Sequence, residues 1–387
     1  MPRLALLGAF PFPAPFGSQR YFAAQAAALA DAGAEITLCC YGSGSGESDR
    51  RFDMVRVAAA LSPRRVRSGP ALAKPVADLA LGRALLRAAS ARGFDAVLAH
   101  NVEGAAIALA ARALGGPPVV YVAHTLMAAE LDAWLPRALA SAAVGVGARL
   151  DRGVAARADA VLTLCEPAAN ALRPHARGCL ANVAPGHAPQ PPPDDAEIAR
   201  ACAEAGVSRD GFALYTGNFD RYQELPVLAA AARRVPEIPV VFATHVPGHL
   251  AQPGVRCLRM APQAARALTY GAAVTLAARR REGGFPIKLL EYMEAGRAIL
   301  ARAGLCETLE HDRSAWLVPR DAGADAFVAA LRALHAAPAT RARLGAGARA
   351  TLEARHAWPA LASRILTLVE TVQGTASDGI AHGSPAR

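Results

Sequence analysis

Lys288 and Glu291 stand three residues apart in the stretch Gly283-Gly284-Phe285-Pro286-Ile287-Lys288-Leu289-Leu290-Glu291-Tyr292-Met293-Glu294-Ala295-Gly296. A helix puts residues at that spacing on roughly one face. A cation beside a carboxylate suits a ligand with phosphate at one end and hydroxyls at the other, such as a nucleotide-sugar diphosphate. The neighbours explain how the pair would be placed. Gly283 and Gly284 carry no Cβ, so a ligand can approach the backbone closely. Pro286 suits a first helical turn, where its missing N–H had no partner anyway. Ile287, Leu290 and Met293 recur at helical spacing, and Gly296 stands where a helix would stop. A glycine loop thus feeds the positive end of a short helix, which favours an anion. The competing reading is a buried junction with a solvent-facing lysine.

A second polar group sits at the ends of apolar runs. Phe94–His100 closes on His100-Asn101 with Glu103 beyond, and Val119–Ala123 closes on His124-Thr125 with Glu130 further on. Two histidines at equivalent strand ends of a parallel sheet fit a polar cleft, and the competing reading of each is a core histidine. Arg279-Arg280-Arg281 would assist an anion site or form a solvated triplet.

The elements that must position these residues alternate along the chain. Arg3–Gly8 reads as a first strand, a helix follows to about Ala32 with Ser18 as its cap and Gly33 as its stop, and Glu35–Tyr41 is a second strand. Strand, helix and strand in this rhythm predict a doubly wound parallel sheet. Its first loop, containing Gly17, lies where such sheets bind ligands. No G-x-G-x-x-G occurs. Asp159–Cys165 and Gly178–Val183 complete the first set of strands, and Trp134 to Ala158 reads as one long helical stretch. Pro185 to Asp195 is proline-rich and extended, as a domain linker is. The rhythm then restarts with Gly211–Thr216, the turn Gly217-Asn218-Phe219-Asp220-Arg221-Tyr222-Gln223, a helix from about Glu224, and strands at Ile238–Ala243, Val274–Ala278, Ala298–Ala301 and Trp316–Pro319. Helices fill Ala322 to Gln373, and residues 375–387 are small and polar, a disordered tail.

The chain of 387 residues is long enough for two cores, and 53% hydrophobic with 19% charged residues describes a globular protein. Its net charge of +10 is almost all arginine, with Lys74 and Lys288 as the lysines. That charge suits anionic partners. Seven cysteines without a C-x-x-C argue for a reducing compartment rather than a disulfide framework or zinc site, and Cys39-Cys40 read as core. Gly42–Ser48 reads as a flexible loop. The segment from Pro63 to Arg92, with Arg64, Arg65, Arg67, Lys74, Arg83 and Arg87, reads as a solvated basic helix or one that lies on anionic membrane. No run approaches the roughly 20 apolar residues of a membrane span, so the expected location is cytoplasmic, either soluble or peripheral on the inner face of the membrane.

The segment GGFPIKLLEYMEAGRAIL resembles the signature of the family-4 (group 1) glycosyltransferases, E-G-F-G-x-x-x-x-E-A-M-A-x-G-x-P-V. The resemblance runs in order along nearly the whole chain. It implies α/β architecture of the GT-B type, two Rossmann-like doubly wound parallel-sheet domains facing a cleft. The acceptor-side domain would span 1–185, the linker 186–195 and the donor domain 196–357, with a helix at about 358–373 crossing back onto the first domain. It implies a donor site at Gly17, Gly217, Asn218, Gly283, Gly284, Phe285, Pro286, Ile287, Lys288, Glu291 and Glu307, with Glu291 on the ribose. Catalytic roles fall to His124 and Lys288, and an acceptor side to His100, Asn101 and Glu103. The family's first signature glutamate corresponds to Gly283, with Glu282 one residue early. Its arginine and lysine clamp, in G-R-L-x-x-x-K-G, corresponds to Asn218 and Gln223, so Lys288 would take over the phosphate charge.

The function so implied is transfer of a sugar from a nucleotide-diphosphate sugar to a glycan or lipid-linked acceptor, as in polysaccharide or glycolipid biosynthesis. Configuration would be retained. No cofactor and no metal are expected, since no D-x-D cluster closes a strand. A non-catalytic nucleotide-sugar-binding subunit and a sugar-nucleotide epimerase remain alternatives. Nucleic acid is not expected as a partner, because the basic stretches lack interleaved aromatics.

Overall fold

A computed structural model describes residues 1–14, 16–44, 49–63, 74–134, 140–244, 255–280 and 283–381. The chain divides into two compact units. One comprises Met1–Gly186, Gly283–Phe285 and the chain from Trp358 onward, the other His187–Glu282 and Pro286–Ala357.

In the first unit β1 (Arg3–Pro11), α1 (Gly17–Asp31), β2 (Glu35–Tyr41) and β3 (Asp53–Val57) are followed by α2 (Lys74–Arg92), β4 (Ala96–His100), α3 (Asn101–Arg112) and β5 (Val119–Ala123). Then come α4 (Met127–Trp134), α5 (Ala140–Ala155), β6 (Ala160–Thr163), α6 (Glu166–Leu172) and β7 (Cys179–Asn182). The seven strands form one sheet in the order β3-β2-β1-β4-β5-β6-β7, every pairing parallel. The order reverses between β1 and β4, so the crevice at their carboxyl ends is the place where such a sheet binds ligands. Its central strands are buried on both faces and read as continuous apolar runs, as in Leu4–Leu7 and Val119–Ala123.

The second unit contains α7 (Asp195–Ala205), β8 (Ala213–Thr216), α8 (Leu225–Ala232), β9 (Val240–Thr244), β10 (Arg256–Arg259), α9 (Pro262–Gly271) and β11 (Val274–Ala277). It continues with α10 (Lys288–Glu294), β12 (Ala298–Arg302), β13 (Trp316–Val318), α11 (Ala324–Ala336) and α12 (Pro338–Arg355). Its six strands are again parallel, in the order β10-β9-β8-β11-β12-β13, with the reversal between β8 and β11. Alternation along β8 serves both faces of the sheet. Ala213 and Tyr215 join the core that holds Phe242 and Phe327, while Phe212 and Leu214 join the one that holds Ile198 and Val241.

Several boundaries differ from the sequence reading. Ser18 is not the cap of α1. Phe16, extended at φ −94° and ψ 158°, is the N-cap and offers no side-chain hydrogen bond, so Ser18 lies inside the first turn. Of the stretch Trp134 to Ala158, Trp134 is the last residue of α4 as described and α5 covers Ala140–Ala155, while residues 135–139 lie outside the described residues. The end of the proline-rich segment is itself a helix start. Asp194 caps α7, accepting from the Glu197 N–H at 2.7 Å, and the Glu197 carboxylate accepts from the Asp194 N–H at 2.9 Å. Finally α13 (Trp358–Ala381) runs past Gln373 to Ala381, so residues 375–381 are helical rather than a disordered tail. Arg364 ties this helix to the first unit by donating to the Asn182 carbonyl at 2.7 Å. The basic residues Arg64, Arg65 and Arg67, the loop positions Ser45 to Ser48 and the chain beyond Ala381 lie outside the described residues.

Candidate active site

Register brings the two strand-end histidines of the first unit together. His100, the last residue of β4, pairs with Val122 of β5. His124 is two residues beyond Val122, hence on the same face of the pleat. The rings meet edge to face with centroids 4.8 Å apart, and His100 Nδ1 lies 2.6 Å from His124 Nε2. Tyr21 of α1 packs edge-on against His124 at 4.9 Å, and Phe22 against His100 at 4.8 Å. Burial disfavours the imidazolium of both rings. It holds His100 well below the ordinary histidine value and lowers His124 to about 3. Both are therefore neutral at physiological pH. His100 has no exposed surface, and His124 keeps 5%.

The other first-unit candidates take different places. Asn101 starts α3 at φ +62°, a left-handed conformation that asparagine tolerates better than most residues. Glu103, in the first turn of α3, is held by Lys74, whose ammonium lies 2.7 Å from each carboxylate oxygen. Gly17 is the exposed first residue of α1. Gly283, Gly284 and Phe285 group with the first unit, where the Leu126 N–H donates to the Gly283 carbonyl at 2.7 Å and Gly284 bridges Thr125. A Cβ on Gly284 would lie 2.4 Å from Thr125 Oγ1 and 2.8 Å from the His124 carbonyl. The close approach that this glycine permits is to the protein's own chain at His124 and Thr125. Phe285 is buried.

In the second unit the chemistry gathers at the reversal between β8 and β11. Gly217, directly after β8, has φ +129°, and a Cβ there would stand 3.1 Å from Lys288 Nζ. Pro286 and Ile287 form the turn entering α10, with the Leu289 N–H donating to the Pro286 carbonyl and the Leu290 N–H to that of Ile287. Gly296, at φ +62°, ends the helix. Tyr292 fastens α10 to β8, its hydroxyl accepting from the Thr216 N–H at 2.8 Å. This places Lys288 Nζ 3.8 Å over the Tyr215 ring, donating to Gln223 Oε1 at 3.0 Å. Gln223 in turn donates to Asn218 Oδ1 at 3.0 Å, Asn218 donates to Tyr222 and Asp220, and Tyr215 donates to the Asn218 carbonyl at 2.6 Å. The two side chains at the positions of the family's clamp thus form the cradle of Lys288. Burial, then the nearby Arg279, hold the Lys288 ammonium well below the ordinary lysine range. Arg279, just past β11 and almost fully buried, lies over the Tyr222 ring at 5.2 Å. Glu291 is half-buried in the first turn of α10. Glu307 is exposed in the turn after β12, its carbonyl accepting from Arg355 at 3.3 Å. Arg281 and Glu282 lie outside the described residues.

Sequence reasoning missed Tyr215, Tyr222 and the pair Glu224–Arg302. Glu224 adopts φ +53° where the chain turns into α8. The side chain of Arg302 is wholly buried in β12, donating to the carbonyls of Ala278, Arg320 and Ala322 at 2.7, 2.9 and 2.6 Å, with Glu224 at 3.2 Å. A lone arginine closing the apolar run Ala298-Ile299-Leu300-Ala301 was the available signal.

Two parallel α/β units, each with polar side chains at its strand reversal, are the fold of GT-B glycosyltransferases. Residues 16–182 match the model of the glycosyl transferase 4-like domain and residues 212–337 that of the glycosyl transferases group 1, together well over half the chain. The protein belongs to the group 1 glycosyltransferases. In fold it is similar to sucrose-phosphate synthase from Thermosynechococcus elongatus, with TM-score 0.80 and 17% identity over 97% of this chain and 100% of that one. It is also similar to Anabaena HepE in complex with UDP-glucose, with TM-score 0.66 and 13% identity over 97% and 99% of the two chains. A third likeness is to WaaG, a glycosyltransferase involved in lipopolysaccharide biosynthesis, with TM-score 0.70 and 14% identity over 95% and 99%. No curated protein sequence matches the chain. Among the described residues, no helix is long and apolar enough to cross a membrane.

Proposed function

We propose that the protein transfers a sugar from a nucleoside-diphosphate sugar to a glycan or lipid-linked acceptor, with retention of configuration and without a metal. The observation that carries this reading is the placement of Lys288. Its ammonium is aimed across Gly217 at the strand reversal of the second sheet and is held by Gln223 and the Tyr215 face. When the glycosidic C–O bond breaks, negative charge grows on the departing diphosphate. Lys288, held in place and protonated as the diphosphate binds, with Arg279 beside it, stabilises that charge. Glu291 would take the ribose hydroxyls, and His124 is the catalytic candidate of the first unit. Glu103 is already neutralised by Lys74, which leaves Asn101 as the more available acceptor-side group. The UDP-glucose bound by HepE makes a uridine nucleotide the first donor to try.

The test is thermal stabilisation by a panel of nucleoside diphosphates and nucleotide sugars, with and without EDTA, in the native protein and in Lys288→Ala. Stabilisation by one nucleotide class, insensitive to EDTA and lost in the variant, supports the reading. Stabilisation that EDTA abolishes would overturn the metal-free mechanism, and equal stabilisation of Lys288→Ala would remove Lys288 from the site.

A further inference from the structure

We infer that His100 is a positioning residue, whose Nδ1–H donates to His124 Nε2 and fixes His124 in the tautomer carrying its proton on Nδ1. The functional consequence rests on the proposed role of His124, but the tautomer itself does not.

Only one proton can lie on the 2.6 Å line between the two nitrogens. A neutral imidazole carries one N–H, so the choice for one ring determines what its other nitrogen must be. If His124 Nε2 donated, His100 would carry its proton on Nε2. That atom is buried and has no hydrogen-bond partner among the described residues. Phe22 packs against that ring at a steep angle with centroids 4.8 Å apart, and it brings no lone pair. A buried N–H without an acceptor costs its full desolvation, whereas an unused lone pair is cheaper to bury. The opposite arrangement leaves only the lone pair of His100 Nε2 in that place. His124 Nε2 then accepts, and its proton must sit on Nδ1. The Nδ1 of His124 is not among the buried polar atoms lacking a partner, and this residue keeps the small exposure that His100 has lost. Burial keeps both rings neutral, so neither becomes an imidazolium that would erase the distinction. The ring that the first unit offers is therefore a hydrogen-bond donor through Nδ1, suited to a sugar hydroxyl oxygen, and not an acceptor.

The direct test is a long-range 1H–15N spectrum of full-length protein labelled with 15N-histidine. The two rings would be assigned from the signals lost in His100→Gln and His124→Gln. The expected result is protonated Nδ1 and bare Nε2 on both rings. A protonated Nε2 on His124, or a doubly protonated ring in either, overturns the assignment. The second arm measures UDP release from UDP-glucose in water. His100→Phe has no donor for His124, and kcat should fall on the order of tenfold or more with KM little changed. His100→Gln, whose amide can donate, should keep more turnover than His100→Phe. Equal turnover in the native protein and His100→Phe would refute the positioning role. Failure of UDP-glucose as a donor in the native protein would count against the donor reading alone, because the spectrum needs no donor.

Discussion

Replacing Lys288 with methionine keeps most of the unbranched side chain and removes its charge. Two effects of opposite sign follow from its surroundings. In the unliganded protein the ammonium is desolvated against Tyr215 and faces Arg279, and both lower its pKa, while Glu291 and Asp220 act the other way. A lysine whose folded pKa lies below its unfolded value costs stability at low pH and ceases to cost it as pH rises through the folded value toward about 10.4. At neutral pH Lys288→Met should therefore leave the unfolding midpoint unchanged or raise it. Binding should respond in the other direction. A diphosphate beside Nζ restores the charged form, and a charge-assisted hydrogen bond is worth about 1.5–3 kcal/mol. At about 1.4 kcal/mol per tenfold, Lys288→Met should weaken nucleoside-diphosphate binding by roughly 10- to 150-fold. Native protein should also take up a proton on binding, up to about one per ligand, and its affinity should fall as pH rises through the window between the unliganded and liganded pKa values. Titration calorimetry in two buffers of different ionisation enthalpy measures the affinity and the uptake together. Proton uptake of the same size in Lys288→Met, or affinity within about twofold of native, would show that Lys288 does not hold the diphosphate.

Arg302→Met should cost about 3–5 kcal/mol, because it leaves three carbonyls without their common donor and removes one of the two arginines paired with Glu224. Glu224→Gly leaves the buried Arg302 its three carbonyls but not this carboxylate, and relieves a left-handed backbone worth about 1–2 kcal/mol, so its cost should be smaller than that of Arg302→Met by about that amount. Urea unfolding of the two variants checks the order, and equal losses would contradict it. Gly217→Ala puts a methyl group 3.1 Å from Lys288 Nζ at φ +129°, so both the thermal midpoint and nucleoside-diphosphate affinity should fall. Undiminished affinity would show that Lys288 has room to move. Asp194→Ala removes the capping box of α7 and should lower stability by about 1 kcal/mol, seen as a shifted urea midpoint at constant m.

Much of the architecture is legible in one dimension. Glu35–Tyr41 and Val119–Ala123 are strands to the residue, because strands buried on both faces are largely apolar, from Ile36 onward in the first and throughout the second. The edge strands Asp53–Val57 and Arg256–Arg259 escaped notice for the converse reason. They are half-exposed, carry charges at Asp53, Arg56, Arg256 and Arg259, and have no continuous apolar run. The signature loop and helix determined by themselves that Lys288 would enter from a helix start with a glycine stop at Gly296. Local order could not say what the signature glycines face, and Gly284 is small because the His124 carbonyl and the Thr125 side chain pass against it. Nor could it pair His100 with His124, 24 residues on, or join Lys288 to Gln223 and Tyr215, about 70 residues back. Those partnerships arise from strand register and from the reversal of strand order, which place distant segments side by side. Hydrophobic period and turn chemistry are local and lie in the sequence. The charge state of a lysine and the tautomer of a histidine depend on the low-dielectric surroundings that only the packed fold creates.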